Sequence, residues 1–204
     1  MASIHTVKLY TVEMGETGVA GAADGRLQAC GLGACIGLCL YDPLARLSVL
    51  VHIVLPQTLS PVSGALWTPP PGKCADTAVG HALAEMESRG GCASRTVAAM
   101  VGGASIFTAP TAATASASRL EIGARNVLAV REGLHCWGIT LCAEETGGHG
   151  GRTVAIDAGT GQVWVRPVGL PEWLLTTLRP EPKEFSLRQM PLTEPQGREV
   201  AYGH

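Results

Sequence analysis

Gly31-Leu32-Gly33-Ala34-Cys35-Ile36-Gly37-Leu38-Cys39-Leu40-Tyr41-Asp42-Pro43 is the stretch on which the reading of this chain turns. Its middle, Leu32 to Leu40, is apolar on both faces, as a strand in the centre of a covered sheet must be. Asp42-Pro43 ends it with a turn signal. Leu47 to Leu55 then reads as a second strand running back alongside, so the two form a hairpin. Cys35 follows a glycine-rich turn, and His52 stands on the returning strand seventeen residues later. Neighbouring strands of a hairpin place two such side chains on one face. A thiol attacks only as thiolate, and a histidine beside it is a group able to take its proton. Gly31 and Gly33 carry no side chain, so a substrate can come close to the backbone there. The N–H groups around Gly33, Ala34 and Cys35 are placed to serve as an oxyanion hole. The plainer reading is structural: free cysteines are among the most buried residues, and a histidine near a strand end is often only a hydrogen-bonded packing residue.

Outward from this hairpin, Val7 to Glu13 alternates as a first strand. Pro56 to Lys73, rich in Pro, Ser and Gly, is a long loop of the kind that carries function. Asp76 is placed to cap a helix running to about Arg89. Val79, Leu83 and Met86 lie at helical spacing on it, and Gly90-Gly91 ends it. Thr96 to Met100 is a short strand followed by Gly102-Gly103. The Ala/Thr/Ser run from Thr108 to Ser118 reads as a flexible surface loop. Ile122 to Glu132 is a second helix with Gly133 as its C-cap. Leu134 to Cys142, Arg152 to Asp157 and Gln162 to Arg166 read as strands, with Thr160-Gly161 turning the last hairpin. Residues 1–169 form the domain. Residues 170–204, Pro-rich and charged, read as a flexible C-terminal tail in which Trp173-Leu174-Leu175 docks locally. There is no internal repeat.

The 204 residues suit one domain. With 46% apolar and 16% charged residues the chain is not disordered, and with 4% aromatics its core must be built from Val, Leu, Ile, Ala and Cys. A net charge of −2 with no basic run argues against nucleic acid as a partner. The N-terminus has no long apolar core of a signal peptide, and no apolar run approaches the roughly 20 residues of a membrane helix. A cytoplasmic monomer without membrane insertion is expected. The seven cysteines then read as free thiols.

Further segments extend the picture. Leu32-Gly33-Ala34-Cys35, Leu40-Tyr41-Asp42-Pro43 and His52 with Leu55-Pro56 resemble the CheD family of chemoreceptor glutamine deamidases. Lys73-Cys74-Ala75-Asp76-Thr77-Ala78 resembles the family's K-Y-x-D-x-A segment, and Gly102-Gly103-Ala104 its G-G-A turn. Ile122-Gly123-Ala124-Arg125-Asn126 resembles its I-G-x-R-N helix start, and Thr146-Gly147-Gly148 with Gly151-Arg152 its G-G-x-x-G-R turn. The similarity covers about residues 5–168, with the pieces in order. It implies an α+β fold, a mixed β-sandwich with flanking helices similar to the cysteine hydrolase domain of cytotoxic necrotizing factor. It implies Cys35 as nucleophile and His52 as general base, no cofactor and no metal. The implied partners are methyl-accepting chemotaxis receptors as substrate and a CheC-type phosphatase of CheY phosphate. The chain departs from the family pattern at four positions. Ala29 stands where a Thr usually orients the histidine, Ala34 replaces a Ser, Cys74 a Tyr and Glu145 an Asp. A backbone carbonyl or Gln28 is left to orient His52.

Three other readings compete. One is a binding module for receptors or phosphatase, without turnover. Another is a metal or redox site from Cys30, Cys35 and Cys39, whose spacing is not that of a zinc site. The third is nucleotide binding through Gly31-x-Gly33, which fails at Ile36, where the fingerprint needs a third glycine. His149 reads as a loop residue, Asp76 as a helix cap and Arg125 as a loop anchor.

Overall fold

A computed structural model describes residues 8–58, 69–105 and 122–179. The expected loop at Thr108 to Ser118, the middle of the long loop and the tail beyond residue 179 lie outside the described residues. Among these residues ten strands and two long helices follow in the order β1 (Leu9–Thr11), β2 (Thr17–Gly21), β3 (Arg26–Leu32), β4 (Ile36–Asp42), β5 (Leu47–Ile53), α1 (Ala75–Ser88), β6 (Val97–Gly102), α2 (Ile122–Cys136), β7 (Thr140–Thr146), β8 (Arg152–Asp157), β9 (Gln162–Pro167) and β10 (Trp173–Thr177). The fold is α+β, with two mixed five-stranded sheets. One has the order β1-β3-β8-β9-β10 and the other β2-β5-β4-β6-β7. The pairs β1–β3 and β6–β7 are parallel and the rest antiparallel.

The sheets share one core, in which Leu27, Ala29, Leu32, Val154 and Ile156 of the first meet Cys39, Tyr41, Leu50, Ala99 and Val101 of the second. The second sheet's other face carries Ile36, Leu38, Leu40, Val49, Val51 and Ile53 against Val79, Leu83 and Met86 of α1 and Val127 and Val130 of α2. Every residue of β4, β5 and β6 is therefore buried. This is why β4 and β5 read as continuous apolar runs rather than alternating ones. Burying a Leu or Val side chain contributes about 1.5–3 kcal/mol, so the doubly covered sheet is firmly held.

Several expected boundaries move. Leu32 to Leu40 is not one strand: Leu32 ends β3 in one sheet, Ile36 starts β4 in the other, and Gly33 to Cys35 is the crossing between them. Both flanks point into covered cores, so periodicity does not reveal the bend. The strands β2 and β3, not expected, come from a Gly- and Ala-rich stretch of low strand propensity. Gly18 is required there, since a Cβ would stand 2.6 Å from Val12 Cγ2.

The second helix does not stop at Gly133. It runs to Cys136 and gives way to β7 only after Gly138, at φ 66°. Gly133 lies inside because a Cβ there would meet Val79 Cγ2 of α1 at 2.9 Å. Asp76 is not a cap: Cys74 is the N-cap residue, and the Asp76 carboxylate accepts from Thr58 N (2.7 Å) and Thr58 Oγ1 (3.1 Å). Trp173 to Thr177 does more than dock. It forms β10, antiparallel to β9, and Leu178 just beyond it is buried in the inter-sheet core, so this part of the expected tail packs on the domain.

Candidate active site

The register of the central hairpin places the two chemical groups. Gly37 is directly opposite His52, and Ile36 opposite Ile53. Along β5, Val51 and Ile53 face the helices and Leu50 faces the other sheet, so His52, two residues from Leu50, faces the other sheet as well. Cys35, two residues before Gly37, packs against the same inter-sheet core. The expected nucleophile and base thus lie on one face as diagonal cross-strand neighbours, a spacing of about 7–8 Å between Cα atoms. Gly37 leaves the position between them without a side chain. A Cβ there would strike Val154 Cγ1 at 2.5 Å and Leu32 Cδ1 at 2.9 Å.

His52 is buried and held at three points. Its N–H donates to the Glu16 carbonyl (3.1 Å), and its own carbonyl accepts from Gly15 N–H (2.8 Å). Its Nδ1 lies 3.3 Å from the Val12 carbonyl oxygen. An oxygen of that kind only accepts, so the proton sits on Nδ1 and Nε2 is the basic nitrogen. Nε2 is buried and has no hydrogen-bond partner among the described residues. Leaving such an atom unpaired costs about 1–3 kcal/mol. Burial lowers the histidine's pKa, against the opposing pull of the Val12 carbonyl and the Glu13 charge. Gln28 is not the orienting group, since its amide donates to Thr11 Oγ1 at 3.1 Å.

Cys35 is half-buried. Burial raises its pKa, offset in part by its own backbone N–H lying against the sulfur. Both shifts favour neutral groups, so the resting pair is thiol and imidazole. The turn around Cys35 is anchored through its carbonyls. Gly33 O accepts from Ala104 N (2.7 Å), Cys35 O from Gly103 N (2.9 Å), and Ala34 O from Asn126 Nδ2 (2.8 Å). The N–H groups of Gly33 and Ala34 donate to no backbone carbonyl among the described residues.

The glycine turns around this centre are held in the same way. Arg152, buried, donates to Gly102 O (3.1 Å) and Gly147 O (2.9 Å), and its Nε pairs with Glu145 at 2.9 Å. Asn126, Arg152 and the Val12 carbonyl are contributors that sequence reasoning did not single out. Asn126 and Arg152 stood in the quoted motifs, but nothing in the sequence marks the carbonyl. His149 is exposed, with Nδ1 3.1 Å from Ser105 O, a loop contact. Arg125 is exposed on α2. The cysteines of the competing metal reading do not converge. Cys30 is exposed on β3, and Cys39 is buried in the inter-sheet core with its pKa pushed far up. Among the described residues no three His, Cys, Asp or Glu side chains are grouped to hold a metal, and no helix is long and apolar enough to cross a membrane.

Residues 55–167 match the family model for CheD chemotactic sensory transduction, a stretch that holds both helices and strands β6 to β9. A protein of Symbiobacterium thermophilum named a probable chemoreceptor glutamine deamidase CheD is 42% identical over 162 residues, 79% of this chain and 94% of the relative. The chain belongs to the CheD family. A Thermotoga maritima member, named chemoreceptor glutamine deamidase CheD, is 39% identical over 145 residues, covering 71% of this chain and 83% of that one. One from Syntrophomonas wolfei, named a probable chemoreceptor glutamine deamidase CheD, is 39% identical over 162 residues, 79% and 95% of the two chains.

Proposed function

We propose that this chain is a cytoplasmic chemoreceptor glutamine deamidase that works through a Cys35 thioester, on a fold similar to that of the cytotoxic necrotizing factor-type cysteine hydrolases. The observation that carries the reading is the state of His52: proton on Nδ1 held by the Val12 carbonyl, Nε2 bare, on the face that Cys35 shares. Ala29 does not leave the imidazole unheld, because a main-chain carbonyl orients it. This favours an enzyme over the binding-module reading.

The steps follow from these groups. His52 Nε2 takes the thiol proton as Cys35 Sγ bonds to the carboxamide carbon of a substrate glutamine. The carbonyl oxygen becomes an oxyanion facing the N–H groups of Ala34 and Cys35, with Gly33 leaving the approach open. The C–N bond breaks as His52 returns its proton to the nitrogen, and ammonia leaves. Water then gives a proton to His52 and its oxygen to the thioester carbon. Collapse expels the Cys35 sulfur, which recovers the proton, and glutamate remains. The substrate gains one negative charge, and the partners are the receptors themselves and a CheC-type phosphatase. The test is mass mapping of receptor cytoplasmic fragments after incubation. Wild type converts defined glutamines to glutamate, and Cys35→Ala does not. Conversion by Cys35→Ala at the wild-type rate would defeat the proposal.

A further inference from the structure

The side chain of Asn126 is not exposed at all, although it is polar and sits in the first turns of α2. Its Nδ2 donates to two carbonyls far apart in sequence, Ala34 O at 2.8 Å and Val54 O at 3.1 Å. Ala34 immediately precedes Cys35, and Val54 lies two residues beyond His52. One amide group therefore ties the turn bearing the thiol to the strand bearing the imidazole. The helix is seated close enough to do this because Gly123 has no side chain: a Cβ there would stand 2.5 Å from Gly103 O and 2.7 Å from Ala104 O.

Peptide geometry gives this tie a chemical consequence. A trans peptide is planar, and its C=O and N–H point in opposite directions. The Ala34 carbonyl and the Cys35 N–H belong to one such plane. Drawing the carbonyl inward to Asn126 turns the Cys35 N–H outward, to the side where its own sulfur lies. The preceding plane is set in the same sense, since Gly33 O is drawn to Ala104 N and the Ala34 N–H must point away from it. We propose that Asn126 is a positioning residue that aims the Cys35 N–H, with the Ala34 N–H, at the oxyanion formed when Cys35 attacks a carbonyl carbon. The role rests on the deamidase reading of Cys35 and makes no contact with substrate.

Two probes of Cys35 separate this role from simple support of the fold. Acylation by p-nitrophenyl acetate passes through an oxyanion: sulfur bonds to the acetyl carbon, p-nitrophenolate leaves, and the thiol proton goes to His52. Alkylation by iodoacetamide displaces iodide from a saturated carbon and forms no oxyanion. Each rate is read at the Cys35 peptide by mass spectrometry, because other thiols are exposed. Asn126→Leu keeps the branched shape and removes the donors. Asn126→Ser, smaller and easier to accommodate, keeps a hydroxyl unable to span both carbonyls. In either variant that folds, acylation is expected to fall at least about tenfold, in the direction of removing an oxyanion donor, while alkylation and its pH profile stay within about twofold of wild type. Equal loss of both rates would make Asn126 a structural residue and overturn the proposal, and so would unchanged acylation. A wild-type Cys35 that is alkylated but never acylated would overturn the deamidase reading itself.

Discussion

Gly102 is the position where a single methyl group tests the geometry most severely. It ends β6 at φ 122°, and a Cβ built on it would lie 2.1 Å from the Cys35 carbonyl oxygen and 3.2 Å from the Cys35 carbonyl carbon. Both are backbone atoms, so no side-chain rotation relieves the clash. Real Cβ atoms essentially never approach closer than 3.0 Å. Gly102→Ala must therefore move the Cys35 peptide or β6 by about 0.9 Å, and a misplacement of about 1 Å in a catalytic group can cost about 100-fold in rate. The backbone strain of an L residue at this φ adds about 1–3 kcal/mol, and the forced contact about 1–3 kcal/mol more. Against a domain stability of about 5–15 kcal/mol the variant remains largely folded at room temperature. The assay pairs urea unfolding with deamidation of receptor fragments. Gly138→Ala is the control, since Gly138 also has positive φ, 66°, but open space around it, and it should lose about 1–2 kcal/mol with full activity. Gly102→Ala with kcat within twofold of wild type would refute the claim that the seating of Gly102 under Cys35 positions the nucleophile.

Four further outcomes follow from the same contacts. Because burial holds His52 below its ordinary value near 6.5, the acid limb of the kcat/KM profile should fall below pH 6.5. An inflection above that value would contradict a buried neutral base. The same group makes stability pH-dependent: its contribution is complete above pH 6.5, where both states are neutral, and is lost as pH falls toward the folded pKa, because the unfolded chain takes the proton first. Urea titrations across that window, in wild type and His52→Gln, should show a slope that the variant lacks. Ala29→Thr should change kcat by less than about threefold, because the Val12 carbonyl already holds Nδ1; a rise approaching the 10⁴-fold reach of a missing third member would show that it does not. Arg152→Leu removes the side-chain donor of Gly147 O and one of two donors to Gly102 O, which keeps the Gly147 N–H at 2.9 Å, a loss of about 1–3 kcal/mol for a carbonyl left unsatisfied. Thermal unfolding should report it as a clear drop in Tm.

The arrangement of the candidate site was partly legible in the sequence, and the reason is physical. Strands β4 and β5 are covered on both faces, so their apolar runs stand out, and the hairpin register that follows puts Cys35 and His52 on one face. The motifs that look scattered along the chain meet in space. The N–H groups of Gly103 and Ala104 donate to the carbonyls of the Cys35 turn, Asn126 ties it to the end of β5, and Arg152 locks the Gly102 and Gly147 turns. What the sequence could not display are contacts made by groups every residue carries. The Val12 carbonyl that orients His52 has no side-chain signature. The bend at Gly33 to Cys35 hides between two apolar flanks that enter different sheets. The strands β2 and β10 owe their state to their partners, β5 and β9, rather than to local propensity. The extension of α2 past Gly133 likewise depends on Val79 of another helix.

The most direct test of the central claim is ammonia release from purified receptor cytoplasmic fragments, measured side by side for wild type, Cys35→Ala and His52→Gln. The account predicts steady release by wild type, none by Cys35→Ala and at most a small residue with His52→Gln. Undiminished release by Cys35→Ala, or none from a wild-type protein that still binds the fragments, would contradict it.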